Sequence, residues 1–337
     1  MKIKHKILLF ISVFAIVFGI WFLYEGAVTG FSIAKISGEI PQENGPAVQV
    51  YFCPRDDCAE RLSGLINSAQ EVKCAFYNLN LKNVRDALKS KQYNKLIVDS
   101  DGEKYVSEMD YIARPEGSGL MHNKFCIFDN STVLTGSFNP TSKQDTVDNN
   151  NIIVINSKYL AENYKEEFEE LWAGTFAEGE PVKYPQVIYN NETIENHFCP
   201  DDDCTSRVIE TLQGAELEIK FLVYAFTEDK ISDVLLNKVK ENVSVRGVFD
   251  KSQSYSQYSE FARLNGTADV RIENSKGLLH HKVFIIDRKI VVTGSFNPTL
   301  SANTKNDENL LIIHSPAIAE KYLEEFEFVW KNEITIS

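Results

Sequence analysis

Positive charge is the scarce component of this 337-residue chain: 35 Lys and Arg stand against 48 Asp and Glu, a net charge of −13. That balance excludes a protein that coats nucleic acid through a broad basic surface. It leaves room for a phosphodiester held by a few cations in a local pocket. Histidine is scarce too, six in all, so a histidine that recurs in a pattern carries information. The rest of the composition, 43% hydrophobic and 25% charged, is that of a globular protein with room for two domains of common size.

One long apolar run is present. After MKIKHK come eighteen uncharged, mostly apolar residues, Ile7 to Tyr24. As a helix that run spans ~27 Å, enough for a bilayer core. Lys2, Lys4 and Lys6 set its start on the cytoplasmic side and the bulk of the chain outside. The segment reads as a membrane anchor over residues 1–24. A cleaved signal peptide, with an apolar region of about 7–15 residues, is the alternative and makes the protein secreted. Residues 25–45, with Gly26, Gly30, Gly38, Pro41 and Gly45, read as a flexible tether.

Two stretches organise the rest of the chain. HNKFCIFDNSTVLTGSFN runs from His122 to Asn139, and HHKVFIIDRKIVVTGSFN from His280 to Asn297. The offset is constant at 158 (280 − 122 and 297 − 139). KFCIFD and KVFIID are apolar and rich in β-branched and aromatic residues, as buried strands are. Strand parity puts His122 with Lys124 on one face, and His280 with Lys282, while Asn123 and His281 face the other way. A turn at Asn130-Ser131 or Arg288-Lys289 leads to a second strand ending in Ser137 and Asn139, or Ser295 and Asn297. Each copy thus gathers an imidazole, an ammonium, a hydroxyl and a carboxamide, a set that binds an anion and supplies a nucleophile or proton donor.

The repetition extends outward. FCPRDDCAERLSGLINSAQEVKCAFYNLN aligns with FCPDDDCTSRVIETLQGAELEIKFLVYAFTE. Helices are expected near 57–69 and 81–91, with strands through Val72 to Tyr77 and KLIVD ending at Asp99, the latter matched by RGVFD ending at Asp250. The second copy is longer near 252–276. NNIIVI and ENLLII follow the motifs, then helices whose aromatics Tyr164, Phe168, Trp172 and Tyr322, Phe326, Trp330 recur every four residues, the spacing of core packing. Alternating strands and helices indicate α/β units with mostly parallel sheets. The expected domains are 46–178 and 179–337, joined through a linker at 174–190.

Four of the six cysteines form matching pairs, Cys53/Cys58 and Cys199/Cys204, five apart across a Pro-Asp turn. In an oxidising exterior these read as local disulfides. Zinc, with His197 as an added ligand of the second pair, is the alternative, although each pair supplies two thiolates where structural zinc takes four ligands. Cys74 and Cys126 read as buried free thiols.

The duplicated H-x-K-x4-D and G-S-F-N elements resemble the HKD motifs of the phospholipase D superfamily, most closely its Nuc-type endonucleases, over roughly residues 46–335. The pattern gives two tandem α/β sandwich domains after one N-terminal transmembrane helix, and the resemblance implies that the two domains are related by a pseudo-two-fold axis. It also implies a phosphodiesterase in which one histidine attacks phosphorus while the other protonates the leaving oxygen, then activates water against the phosphohistidine. By the family pattern His122 attacks and His280 transfers protons. Lys124, Lys282, Asn139 and Asn297 bind the non-bridging oxygens. Glu308, at the place where Nuc-type enzymes orient a catalytic histidine, is matched by Asn150 in the other repeat (308 − 150 = 158).

No metal or cofactor is needed by that scheme, and no obligate protein partner is implied. Ser137 and Ser295 read as orienting residues. Asp129 and Asp287, on the opposite parity, read as structural groups bonding the turn. His281 reads as a packing or surface residue, and His5, His197 and His314 have no evident partner. An inert binding module is expected to have lost a motif His or Lys; none is missing. The substrate is expected to be DNA or RNA cleaved outside the cytoplasm, because the repeats lack large lipid-binding insertions. A phospholipase D or phosphatidyltransferase held near lipid headgroups by residues 7–24 is the alternative.

Overall fold

The computed structural model describes residues 39–117 and 119–331. The expected membrane helix and most of the tether lie outside the described residues; among those described, no helix is long and apolar enough to cross a membrane. From Pro41 onward the chain forms one compact unit.

A short strand β1 (Gln42–Glu43) opens that unit. The first repeat then supplies β2 (Gln49–Cys53), β3 (Glu71–Phe76), β4 (Tyr93–Asp99), β5 (Tyr111–Arg114), β6 (Lys124–Phe128), β7 (Thr132–Gly136) and β8 (Asn150–Asn156), in the order β2-β8-β7-β6-β3-β4-β5. The second supplies β9 (Gln186–Tyr189), β10 (Glu192–Cys199), β11 (Glu218–Val223), β12 (Ser244–Phe249), β13 (Asp269–Ile272), β14 (Lys282–Ile286), β15 (Ile290–Gly294) and β16 (Glu308–His314). Its order, β10-β16-β15-β14-β11-β12-β13, reproduces the first, with β9 and β1 added at one edge.

The sheets depart from the mostly parallel expectation. Only β3-β4-β5, β11-β12-β13 and the β1-β9 pair run parallel; the other ladders are antiparallel. The cause is local. Turns at Asp129-Asn130 and Asp287-Arg288, with φ of 50–57°, fold each motif strand directly back on itself. No helical crossover fits in two residues.

The motif strands are buried on both faces, which is why they read as unbroken apolar runs. In β6, Phe125 and Ile127 enter a central core shared by both repeats, whereas Cys126 and Phe128 enter the first repeat's outer core. In β14, Val283 and Ile285 join the same central core, and Phe284 and Ile286 the second outer core. Helices Lys158–Trp172 and Pro316–Lys331 direct Tyr164, Phe168, Tyr322 and Phe326 into that central layer.

Three other expectations are corrected. Cys74 and Cys126 are disulfide-bonded: they are direct antiparallel partners on β3 and β6, 4.1 Å apart at Cα. The second repeat fills the matching place with Phe221 against Phe284, ring centroids 5.7 Å apart. The tether is shorter than expected, because Gln42–Glu43 pairs with Ile188–Tyr189, and that pairing also turns the end of the 174–190 linker into strand. Cys53–Cys58 and Cys199–Cys204 are disulfides, with Cα separations of 5.6 and 5.8 Å.

Candidate active site

Each motif histidine is held by the opposite repeat. The His122 N–H donates to the Asp307 carbonyl (3.0 Å), and the Asp307 N–H donates to Leu120 (2.9 Å). In the mirror arrangement the His280 N–H donates to Asn149, and Asn149 N–H to Leu278, both at 2.8 Å. The side chains cross over in the same way. His122 Nδ1 lies 2.8 Å from the Glu308 carboxylate, and His280 Nδ1 lies 2.8 Å from Asn150 Oδ1 and 3.1 Å from the Ser137 carbonyl. Those partners accept, so each Nδ1 carries the proton, and Nε2 is the nitrogen left to meet substrate.

Strand parity brings the lysines beside the histidines, as expected. Lys124 Nζ donates to the His122 carbonyl, and Lys282 Nζ to the His280 carbonyl at 2.6 Å. Both lysines and both histidines are buried, and His280 lies close enough to feel the charge of Lys282, Lys124 and His122. Asn139 and Asn297 each present a buried Oδ1 with no hydrogen-bond partner; that oxygen can accept only from a donor, so Nδ2 is the atom through which either residue can bond a phosphoryl oxygen. Ser295 Oγ donates to Glu308 (2.6 Å), and Ser137 Oγ lies 3.3 Å from Asn150 Oδ1. Both serines therefore orient the histidines' partners.

The G-S step of each motif is sterically determined. Gly136 and Gly294 have φ of 140° and 138°, and a Cβ at either would sit 2.3 Å from the carbonyl oxygen of Asn151 or Asn309. Only glycine lets β7 and β15 approach that closely. Asp129 and Asp287 lie away from the site and bind backbone outside their own turns. Asp129 accepts from the N–H groups of Gln70 and Glu71, and Asp287 from those of Glu216, Leu217 and Glu218. They secure the entries to β3 and β11.

Burial governs the electrostatics. It lowers His122 to about 4, although Glu308 opposes it, and lowers Lys124 to about 7. His280 and Lys282 are driven well below their ordinary values by burial, with Lys282 and Lys124 adding repulsion at His280 and Lys124 doing so at Lys282. Burial therefore favours neutral imidazoles and lysines that give up protons easily. An anionic phosphodiester restores the cations. Accordingly kcat/KM is expected to rise through about pH 4 as His122 loses its proton, and to fall toward higher pH as His280 loses the proton it donates and, through about pH 7, as Lys124 loses its charge. A pH–rate profile checks this; a flat profile between pH 4 and 9 contradicts it.

Several site residues escaped the sequence reading. Tyr77 and Tyr224 flank the histidines, with ring centroids 5.3 Å from His122 and 5.0 Å from His280, and sit 5.5 and 5.3 Å from Lys124 and Lys282 Nζ. Their backbone N–H groups bond the carbonyls of Asn123 and His281. They occupy matching places in CAFYN and FLVYA, so the repeat alignment contained the signal. Asp99 and Asp250, read only as strand ends, accept from the N–H groups of Met121 and Leu279 at 2.9 Å and fix the backbone ahead of each histidine. Of the two readings of His281, packing holds and surface does not: it is fully buried, and its ring bonds Asn151 and Glu325. His314 and His197 share a partner, Glu195, at 2.7 and 3.8 Å. His5 lies outside the described residues.

With this geometry in place, the comparison with known proteins is decisive. The family described as "Cardiolipin synthase, PLD-like domain" matches twice, at residues 47–172 and 208–330. The chain belongs to the phospholipase D superfamily. A phospholipase D of Rickettsia prowazekii is 34% identical over 136 residues, 40% of this chain and 66% of that protein. A mitochondrial cardiolipin hydrolase of Xenopus laevis is 32% identical over 138 residues, again 40% of this chain and 66% of that protein. The crystal structure of phosphatidylserine synthase from Haemophilus influenzae shares the fold, with a TM-score of 0.64 at 12% identity, covering 86% of this chain and 87% of that one. As a superfamily member this chain carries both PLD-like repeats in a single polypeptide.

Proposed function

We propose that the protein cleaves phosphodiesters without a metal, through a phosphohistidine on His122. The observation that carries this reading is the crossed pinning of the histidines, each Nδ1 held by the other repeat. Glu308 supports His122 as the attacking group, because a carboxylate on Nδ1 stabilises the positive charge that the ring acquires when Nε2 bonds to phosphorus. His280 keeps one proton on Nδ1, so it takes up a second at Nε2 as the anionic diester binds; Asn150 orients that imidazolium without a charge to hold the proton back, and the Nε2 proton passes to the leaving oxygen. In the second step His280 removes a proton from water, and the resulting hydroxide displaces His122 from phosphorus. Lys124, Lys282, Asn139 and Asn297 surround the non-bridging oxygens and supply the charge stabilisation that a metal provides elsewhere.

The substrate on this reading is DNA or RNA, supported by the short repeats, and the catalytic part works outside the cytoplasm, supported by three disulfides. One observation favours a phospholipid as a second reading. Large exposed apolar residues stand in segments that adjoin site residues: Leu120 ahead of His122, Val147 ahead of Asn150, Leu300 after Asn297, and Tyr255 and Tyr258 after Asp250. Apolar groups so placed suit an amphiphile.

The test incubates the full chain with EDTA and, separately, labelled DNA, RNA and phosphatidyl lipid. Cleavage undiminished by EDTA is expected, and the substrate cleaved assigns the class. Activity lost to EDTA and restored by a divalent cation overturns the metal-free scheme.

A further inference from the structure

Behind the two histidines lie two hydrogen-bonded ladders built from matching positions, and they differ in charge. On the second repeat's side, His281 Nδ1 lies 3.1 Å from Asn151 Oδ1 and Nε2 lies 3.2 Å from Glu325 Oε1. Glu325 is ion-paired with Arg55, which rides on the Cys53–Cys58 loop of the first repeat. Asn151 is held further by Thr293 Oγ1 (2.9 Å) and the Tyr322 hydroxyl (3.1 Å), and its N–H donates to Ser137 Oγ (3.0 Å). Its neighbour Asn150 is the residue that pins His280.

The other ladder has Asn123 at the place of His281, Glu167 at that of Glu325 and Asp201 at that of Arg55. Asn123 Nδ2 donates to Glu167 (3.2 Å), and Asn309 Nδ2 donates to Asn123 Oδ1 (2.8 Å). Asn309 N–H then donates to Ser295 Oγ (3.0 Å), and Ser295 holds Glu308. Burial, then Asp307, Glu170 and Asp201, push Glu167 well above the usual carboxylate range. Burial also raises Glu325, but His281 and then Arg55 more than offset it. One ladder is neutral and the other ionic.

We propose that Arg55, Glu325 and His281 are positioning residues for His280, and that this ionic ladder differentiates two otherwise matched histidines. His122 has a carboxylate on its ring and a neutral ladder behind it. His280 has only an amide on its ring, with the charges set back where they hold the backbone of residues 150–151 without retaining the transferable proton. The inference rests on the proposed role of His280 as proton donor. Small displacements of such a donor are costly, since misplacement by about 1 Å lowers rates about a hundred-fold.

The test uses the full chain carrying His281→Asn, which copies the first repeat, or Glu325→Gln, which keeps shape and removes charge. In ¹⁵N-histidine-labelled protein, both variants are expected to shift or broaden the Nδ1–H signal of His280 and to leave that of His122 in place. In kinetics, kcat for a diester with an alkoxide leaving group is expected to fall about ten-fold or more at unchanged KM. The single-turnover release of the first nitrophenolate from bis(p-nitrophenyl) phosphate, whose leaving group needs no proton, is expected to keep its rate, while steady-state turnover, which needs His280 as base toward water, falls. Unmoved histidine signals, or an equally slowed first release on both substrates, overturn the ladder's role. If the unaltered protein cleaves neither substrate, the phosphodiesterase reading fails by itself, and the spectra alone decide the ladder.

Discussion

Alanine at either His122 or His280 is expected to lower kcat on an oligonucleotide or phospholipid by at least about 10⁴-fold, because the two rings act as a unit whose contributions are far from additive. The variants separate on bis(p-nitrophenyl) phosphate. His280→Ala lacks only the proton donor, which a nitrophenolate does not require, so it is expected to release about one equivalent in a burst and then stall with His122 phosphorylated. His122→Ala lacks the attacking nitrogen and is expected to show no burst. Stopped-flow absorbance on the purified variants checks both. A burst in His122→Ala and none in His280→Ala reverses the assignment, and undiminished turnover in both ends the scheme.

The second large effect is expected at Glu308. Its carboxylate, fully buried and fixed by Ser295 (2.6 Å) and Asn306 (3.3 Å), is the only charge on a histidine ring in the site. Glu308→Gln preserves the shape and removes the stabilisation of a positively charged phosphohistidine. The expected loss is about a hundred-fold in kcat, with KM changed much less, since the charge matters only as the bond to phosphorus forms. Asn150→Ala, which removes an amide, is expected to cost about ten-fold. Initial-rate kinetics on the pair distinguish the roles. Equal losses mean that Glu308 merely orients its ring, as Asn150 does.

The candidate site is largely legible in the sequence, because parity on a strand is a rigid constraint. His122 and Lys124, and Ser137 and Asn139, have to share faces once KFCIFD and STVLTGSFN are strands. The crossed partnership is not legible. Periodicity describes one strand at a time, whereas Glu308 reaches His122 only because residues 120–122 lie along 307 of the other repeat, as 278–280 lie along 149. The Cys74–Cys126 bond is hidden for a related reason: pairing depends on the register of β3 against β6, which the spacing of two cysteines 52 residues apart does not encode. The polar role of His281 is hidden as well, because its partner Glu325 comes from a helix 44 residues away. Tyr77 and Tyr224 are a different case, since their recurrence is visible and only its meaning is absent.

The central claim is that two histidines serve a single phosphorus in two successive displacements, the first leaving it bonded to His122. The most direct measurement is the stereochemical course at phosphorus, using a diester made chiral with sulfur and oxygen isotopes and cleaved by the unaltered protein. Each in-line displacement inverts the centre, so the account predicts net retention. Net inversion means that water attacks the substrate directly, and contradicts it.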